Sequence, residues 1–523
     1  MSDMREKTRS WRGGRWALFL GLALSMGLLA GCDEILDVQL PGQITSEETF
    51  APDQAEVLVL SAIGDIECAM SDYVAMNGAG NADAFHRTIG WLGGSMEYEP
   101  DPDTGTCSTG ENDYAWFTGL HEGRWVAEQT YQRLDEEWTV EQVPNRDQLM
   151  AIAAIYIGHT MGFFGEYLCE VAVNAGPLLS WDEALEGNTQ KGSIGAEGWY
   201  TAALGHISDA GGDFPIQPGV TSSAQQLAYL LRARSKLARQ DYAGAAADAQ
   251  MVSQGFVANI TREAGGERKR WNRVYSNHNL TGYSTLVGEI THDFWQADDV
   301  TNPVTGQPYP DPIPYTGYWD LGILPDGRAV SDNGYPITTA DEPTAQADSR
   351  VPAINTGNTE DVRGYPIWRQ RKYTSEADDI ALAKWEEAWL IRAEAAARGA
   401  TAEDPIALVN EIRQEHGLNE IDGVSYNPTT ENELLAMIIE ENRRVHFLEG
   451  RFWSTKLRFL LEPAKAEALS FPWFPRNQGR AVQHNFQGGV RMVLPPSEYE
   501  INENFSQSDV GTFCPDFQTP VGI

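Results

Sequence analysis

The tract from Asp379 to Leu460 constrains this chain more than any other stretch. It opens with Ile380-Ala381-Leu382-Ala383-Lys384-Trp385-Glu386-Glu387-Ala388-Trp389-Leu390-Ile391-Arg392-Ala393-Glu394-Ala395, and Ala, Leu and Glu dominate throughout. All three are strong helix formers. Leu434, Leu435, Ile438, Ile439, Val445 and Leu448 recur near helical spacing and define one apolar face. Helices with such a face need partners, so the tract predicts a mainly α protein. Arg443 and Arg444 stand six and five residues before Glu449 and read as one helix with it, ending at Gly450. On this reading the charges are ion pairs locking a helix end to its neighbour.

Pairs of short helices are also legible further upstream. Ala228-Tyr229-Leu230-Leu231-Arg232-Ala233-Arg234 is followed, after a break, by Asp241-Tyr242-Ala243-Gly244-Ala245-Ala246. Small residues at facing positions, with a tyrosine just after the turn, suit a tetratricopeptide-like pair because they let helices approach closely. The same theme recurs at 123–134 with 148–164, at 199–210 and at 381–413. About four pairs result, and alanine-rich helices packed without a true repeat remain an open alternative.

The N-terminus reads as a targeting segment. Arg5, Lys7, Arg9, Arg12 and Arg15 precede an apolar run from Trp16 to Ala30. That run is short of the roughly twenty residues a permanent membrane helix needs. It ends in Leu29-Ala30-Gly31-Cys32, which resembles a lipobox, the signal for bacterial lipoprotein processing. Cys32 is then the expected lipidation site, and its acyl chains an anchor in the membrane. Without residues 1–31, Lys+Arg falls from 38 to 33 and Asp+Glu from 75 to 73, a formal charge of −40. Such acidity disfavours nucleic acid and anionic head groups as partners.

Four further cysteines, Cys68, Cys107, Cys169 and Cys514, permit two disulfides with three connectivities in an exported chain. Pairing Cys68 with Cys107 closes a Gly- and Asp-rich loop of about forty residues and leaves Cys169 with Cys514. Two irregular regions, 77–118 and 262–373, are rich in Gly, Pro, Asp, Asn and aromatics. Loops this long in a compact protein are usually functional or disordered. Their rings have two readings: plugs that seat the loops on the helical scaffold, or flat faces for a sugar whose hydroxyls bond to the polar neighbours. Trp91, Tyr98, Trp271, Trp295, Tyr318 and Trp319 sit among turn-forming or polar residues and are the candidate ligand contacts.

Catalytic and metal signatures are weak. Gly282-Tyr283-Ser284-Thr285-Leu286 lacks the last glycine of a nucleophile elbow, and Gly78-Ala79-Gly80-Asn81-Ala82-Asp83 lacks the last glycine of a dinucleotide fingerprint. Asp101-Pro102-Asp103-Thr104-Gly105 has no downstream Glu of an EF-hand loop, and no zinc spacing occurs. The expectation is a non-enzyme with no metal and no cofactor.

The order of the C-terminal pieces is more specific than any one of them. Trp389-Leu390-Ile391-Arg392-Ala393-Glu394-Ala395, then Leu408-Val409-Asn410-Glu411-Ile412-Arg413, then Glu441-Asn442-Arg443-Arg444 with Phe447-Leu448-Glu449-Gly450-Arg451, resembles the C-terminal half of the SusD/RagB family of outer-membrane nutrient-binding lipoproteins. Cys32-Asp33 with Leu36-Asp37 and Pro41-Gly42 is similar to the start of its mature chains. One departure is Thr455-Lys456-Leu457, where the family has Asp-Leu. The resemblance implies a signal peptide over 1–31 and one SusD-like α-domain over 32–523, with helical pairs at about 120–165, 195–255 and 379–416, C-terminal helices at about 431–464, and ligand loops at about 77–118 and 262–373. It implies a surface-exposed outer-membrane lipoprotein that captures an oligosaccharide, or alternatively peptides, for a TonB-dependent transporter. A helical-repeat scaffold for a protein partner is the reading from another class.

Overall fold

The computed structural model describes residues 50–78, 85–87, 116–189, 191–217, 219–265, 270–276, 284–286, 349–359, 366–418, 420–423, 427–469 and 491–515. Helices are stacked largely in chain order from Pro52 onward. α1 (Ala55–Tyr73) packs on α2 (Trp116–Glu136), α2 on α3 (Arg146–Tyr167), and α3 on α5 (Ala196–Asp209), with the short α4 (Trp181–Leu185) between them in sequence. The stack continues through α6 (Ala224–Ala238), α7 (Tyr242–Ala249) and α8 (Trp385–Ala397) to α9 (Pro405–Glu415) and α10 (Glu431–Val445). α11 (Phe452–Leu460) and α12 (Pro463–Leu469) follow, and α13 (Pro496–Ile501) lies near the C-terminus. Each helix mainly meets its neighbours in sequence, as in a solenoid.

Small residues set the spacing. In α3, Gly158 leaves room for the Tyr200 ring, which would stand 2.7 Å from an added Cβ. One turn and more along, Gly165 does the same for Leu185 at 2.5 Å. Gly123 of α2 lies against Ala62 and Ile66 of α1 in the same manner. α3 is 22 residues long and apolar enough to cross a membrane by length and composition, yet it is buried along nearly its whole length. A helix apolar all round is a core helix when other helices surround it.

Caps mark the pair boundaries. The Ser223 side chain accepts from Gln226 N–H at the start of α6, and Asp241 accepts from Gly244 N–H at the start of α7. A Cβ on Gly244 would fall 2.0 Å from Asp241 Oδ2, so a larger residue there would displace the capping carboxylate. Asp404 caps α9 with Pro405 in its first turn, and Thr430 with Glu433 forms a capping box on α10.

Three sequence expectations are corrected. Ile380–Lys384 is strand β8, antiparallel to β4 (Val257–Ile260), and the helix begins only at Trp385. Backbone pairing with a distant strand overrides the helix propensity of Ala and Leu there. Glu449 lies beyond α10, which ends at Val445; Leu448 adopts φ 56° and Gly450 φ 74°, so the chain turns back on itself. Trp116, read as part of the first irregular region, starts α2 and is fully buried against Tyr73 and Phe163.

Cys169 and Cys514 form a disulfide that ties the C-terminal segment to the end of α3. Met492 N–H donates to Tyr167 O, and Cys169 N–H to Met492 O, at 2.7 and 2.8 Å. Cys68 is also disulfide-bonded, and its partner lies outside the described residues. The small remaining pairing, β2 (Glu170–Val171) with β3 (Leu179–Ser180), closes the turn into α4.

Candidate functional site

The two irregular regions meet. β1 (Phe85–Arg87), from the first, runs antiparallel to β5 (Ser284–Leu286), from the second, with His86 opposite Thr285. β7 (Pro366–Gln370) lies beside β5 and pairs antiparallel with β6 (Ala353–Thr359), so strands from both regions gather together. Of the six candidate aromatics, Trp271 alone falls among the described residues. It is half-buried at the C-terminal end of α1, and its carbonyl accepts from Ser71 Oγ at 3.2 Å and Arg262 Nη1 at 3.4 Å. Asn272 then caps a single helical turn, and Arg273 pairs with buried Asp72 at 3.0 Å. Trp91, Tyr98, Trp295, Tyr318 and Trp319 lie outside the described residues, as do Cys32 and Cys107.

Both regions spring from one buried turn, Val445–Gly450. At the base of the first region, the Tyr73 hydroxyl donates to Gly450 O at 2.8 Å, and the Tyr167 hydroxyl joins it at 3.2 Å. Gly78 touches the same place: a Cβ there would lie 2.8 Å from Gly450 Cα. At the end of the second region, Lys372 Nζ donates to Phe447 O at 2.7 Å and to Glu449 Oε1 at 2.6 Å, while the Tyr373 hydroxyl donates to Leu448 O at 3.1 Å. Lys384 of β8 completes the cage, with 2.7 Å to Val445 O and 2.6 Å to Glu449 Oε1. His446 Nδ1 lies 2.9 Å from Glu449 Oε2.

The electrostatics follow from burial and pairing. Burial alone would raise the Glu449 pKa, but the Lys372 and Lys384 ammonium groups hold it well below the usual carboxylate range. Burial, with Lys384 adding to it against the pull of Glu449, pushes Lys372 down to about 8. Next to this cage, Arg451 pairs with Glu166 at 2.7 Å and Arg234 with Glu387, and a second chain runs from Arg458 through Glu394 to Arg398 and Glu462. Sequence reading placed Glu449 on one helix with Arg443 and Arg444, its charges locking a helix end to a neighbour. Its true partners lie 77 and 65 residues upstream, and no local spacing points to them.

These groups do not form a ligand pocket. The cavity among Tyr73, His159, Arg234, Glu449 and Arg451 has room for about one water molecule. Cys169, Glu170 and Cys514 bring their ligand atoms within 4.8 Å of one another, but the two thiols are consumed in the disulfide, so they supply no thiolate to a metal. The arrangement is a rigid footing for whatever the two irregular regions carry.

No protein-family model matches the chain, and no curated protein matches its sequence. Solved structures do match. A SusD homolog from Bacteroides thetaiotaomicron superposes with a TM-score of 0.56 at 11% identity, over 88% of this chain and 98% of that one. A SusD-like protein from the same organism gives 0.52 at 12% identity, over 86% and 93%. A further SusD homolog from that organism gives 0.51 at 14% identity, again over 86% and 93%. Identity this low speaks only of architecture, and the architecture extends over nearly the whole of each neighbour: the chain has the SusD-like fold.

Proposed function

We propose that the chain is an outer-membrane lipoprotein, anchored through Cys32 after removal of residues 1–31, whose domain from 32 to 523 captures an oligosaccharide and passes it to a TonB-dependent transporter. The observation that carries this reading is the meeting of two aromatic-rich regions through the β1–β5 pairing on a SusD-like helical scaffold. Rings on such a face stack against a sugar while Asn and Asp neighbours bond its hydroxyls. The half-buried Trp271, fixed by its backbone at the end of α1, supports it as one of these rings. The buried carboxylates of the footing are each held by arginine or lysine, which supports binding over catalysis.

The test is a glycan array run beside a peptide panel, with the soluble form that begins at Asp33. Retention of one oligosaccharide class, reduced by replacing Trp271 with Ala, is the expected result. Retention of peptides alone would overturn the sugar reading and keep the architecture. The full lipoprotein, extracted from outer membranes, is expected to bring a barrel-sized partner with it.

A further inference from the structure

We propose that the Val445–Gly450 turn is a shared positioning element that couples the base of the first irregular region to the base of the second. The two bases are far apart in sequence, yet each hangs on carbonyls of the same short turn, Gly450 O for the first and Phe447 O and Leu448 O for the second. Tyr73 and Gly78 hold Gly450 from one side. Lys372 and Tyr373 hold Phe447, Leu448 and Glu449 from the other. The turn itself is under backbone constraint: Leu448 occupies the left-handed region at φ 56°, a conformation that an ordinary residue keeps only where its surroundings fix it.

Such a turn behaves as one piece. Val445, Phe447, Leu448 and Gly450 give their carbonyls to hydroxyls and ammonium groups that flank or end the two regions, so loosening either grip releases the geometry that the other grip reads. Coupling of this kind is reciprocal. The β1–β5 pairing and the Arg273–Asp72 ion pair at the end of α1 are further links between the regions, made by other residues than those of the turn. Because the two regions are the ones assigned above to the ligand face, the turn sets how the two halves of that face are placed. That last step rests on the capture reading; the coupling does not.

Hydrogen exchange on the ligand-free mature chain tests it. Tyr373→Phe removes only the hydroxyl that reaches Leu448 O, and Tyr73→Phe only the one that reaches Gly450 O. Tyr373→Phe is expected to speed exchange at Val74–Gly78, and Tyr73→Phe at Arg371–Tyr373, by roughly two- to tenfold, the effect of losing one neutral hydrogen bond. Helices α5 and α7 keep their protection and Tm stays near that of the parent chain. Tyr242→Phe, which loses a 2.8 Å bond to Glu462 elsewhere in the fold, leaves both bases unchanged. Acceleration confined to each variant's own base would overturn the coupling, as would uniform acceleration with a fall in Tm. No oligosaccharide enters the experiment, so its failure is separate from failure of the capture reading.

Discussion

Gly78 and Gly450 meet backbone to backbone, and neither has room for a side chain. A methyl group on Gly78 would lie 2.8 Å from Gly450 Cα and 3.2 Å from Tyr73 O, both parts of the main chain that cannot swing aside. Gly78→Ala should therefore cost about 1–3 kcal/mol, in the range of overpacking. Differential scanning calorimetry should record the lower Tm; a variant that melts with the parent chain would mean the contact relaxes freely. The free φ of Gly450 was legible in the sequence because it is a local property, although it was read as ending a helix that in fact stops at Val445. Gly78 was not legible, because what demands it is a residue hundreds of positions away. The same holds for Lys372, whose partner Glu449 was visible while the pairing was not.

Elements were legible to the extent that their causes are local. The helix pairs α6–α7 and α8–α9 announce themselves through periodicity, Asp caps and small facing residues, and all of these act within a few turns. β8 was misread because Ile380-Ala381-Leu382-Ala383-Lys384 satisfies helix propensity, and only β4, more than a hundred residues earlier, makes it a strand. The C-terminal segment is likewise held from afar. Its ties include a parallel bridge from Met492 to Leu168 with two backbone bonds, the buried Arg491 donating to Gly165 O, Asn502 and Asn504 donating to Gly176 O and Ala175 O, Gly511 N–H donating to Glu170, and the Cys169–Cys514 link. Replacing both cysteines with Ser should cost about 2–5 kcal/mol. Limited proteolysis should then release residues beyond Arg491 while the helical stack survives. Equal resistance in the variant and the parent would show that the remaining ties suffice.

Over the whole molecule, the helical stack and the family resemblance were readable, while the proposed ligand face was not, since the candidate rings lie on long segments whose placement no periodicity dictates. What unifies the stack is its set of buried ions, and these make its stability a function of pH. Burial alone would raise the Glu387 pKa, but the Arg234 and Arg451 guanidinium groups bring it down to about 2. Glu449, Glu394 and Glu441 are held low by their own cations. Unfolded glutamates titrate near ~4.3, so between that value and the folded one the unfolded chain binds more protons. The stabilisation is thus complete above about pH 5 and is lost as pH falls toward 2; for Glu387 it amounts to about 3 kcal/mol. His159 adds loss of the same sign at milder acidity: burial pushes its imidazole down to about 3, so the folded state refuses a proton that the unfolded state accepts below roughly pH 6.5. Unfolding free energy measured by urea titration should start to decline below about pH 6.5 and steepen below about pH 4.5. His159→Gln should flatten the first limb. Glu387→Gln should be less stable at neutral pH, because Arg234 and Arg451 lose a buried counter-charge, and yet show a shallower second limb, by about one proton. Parallel acid limbs in Glu387→Gln and the parent chain would mean that this carboxylate does not carry the acid sensitivity of the fold.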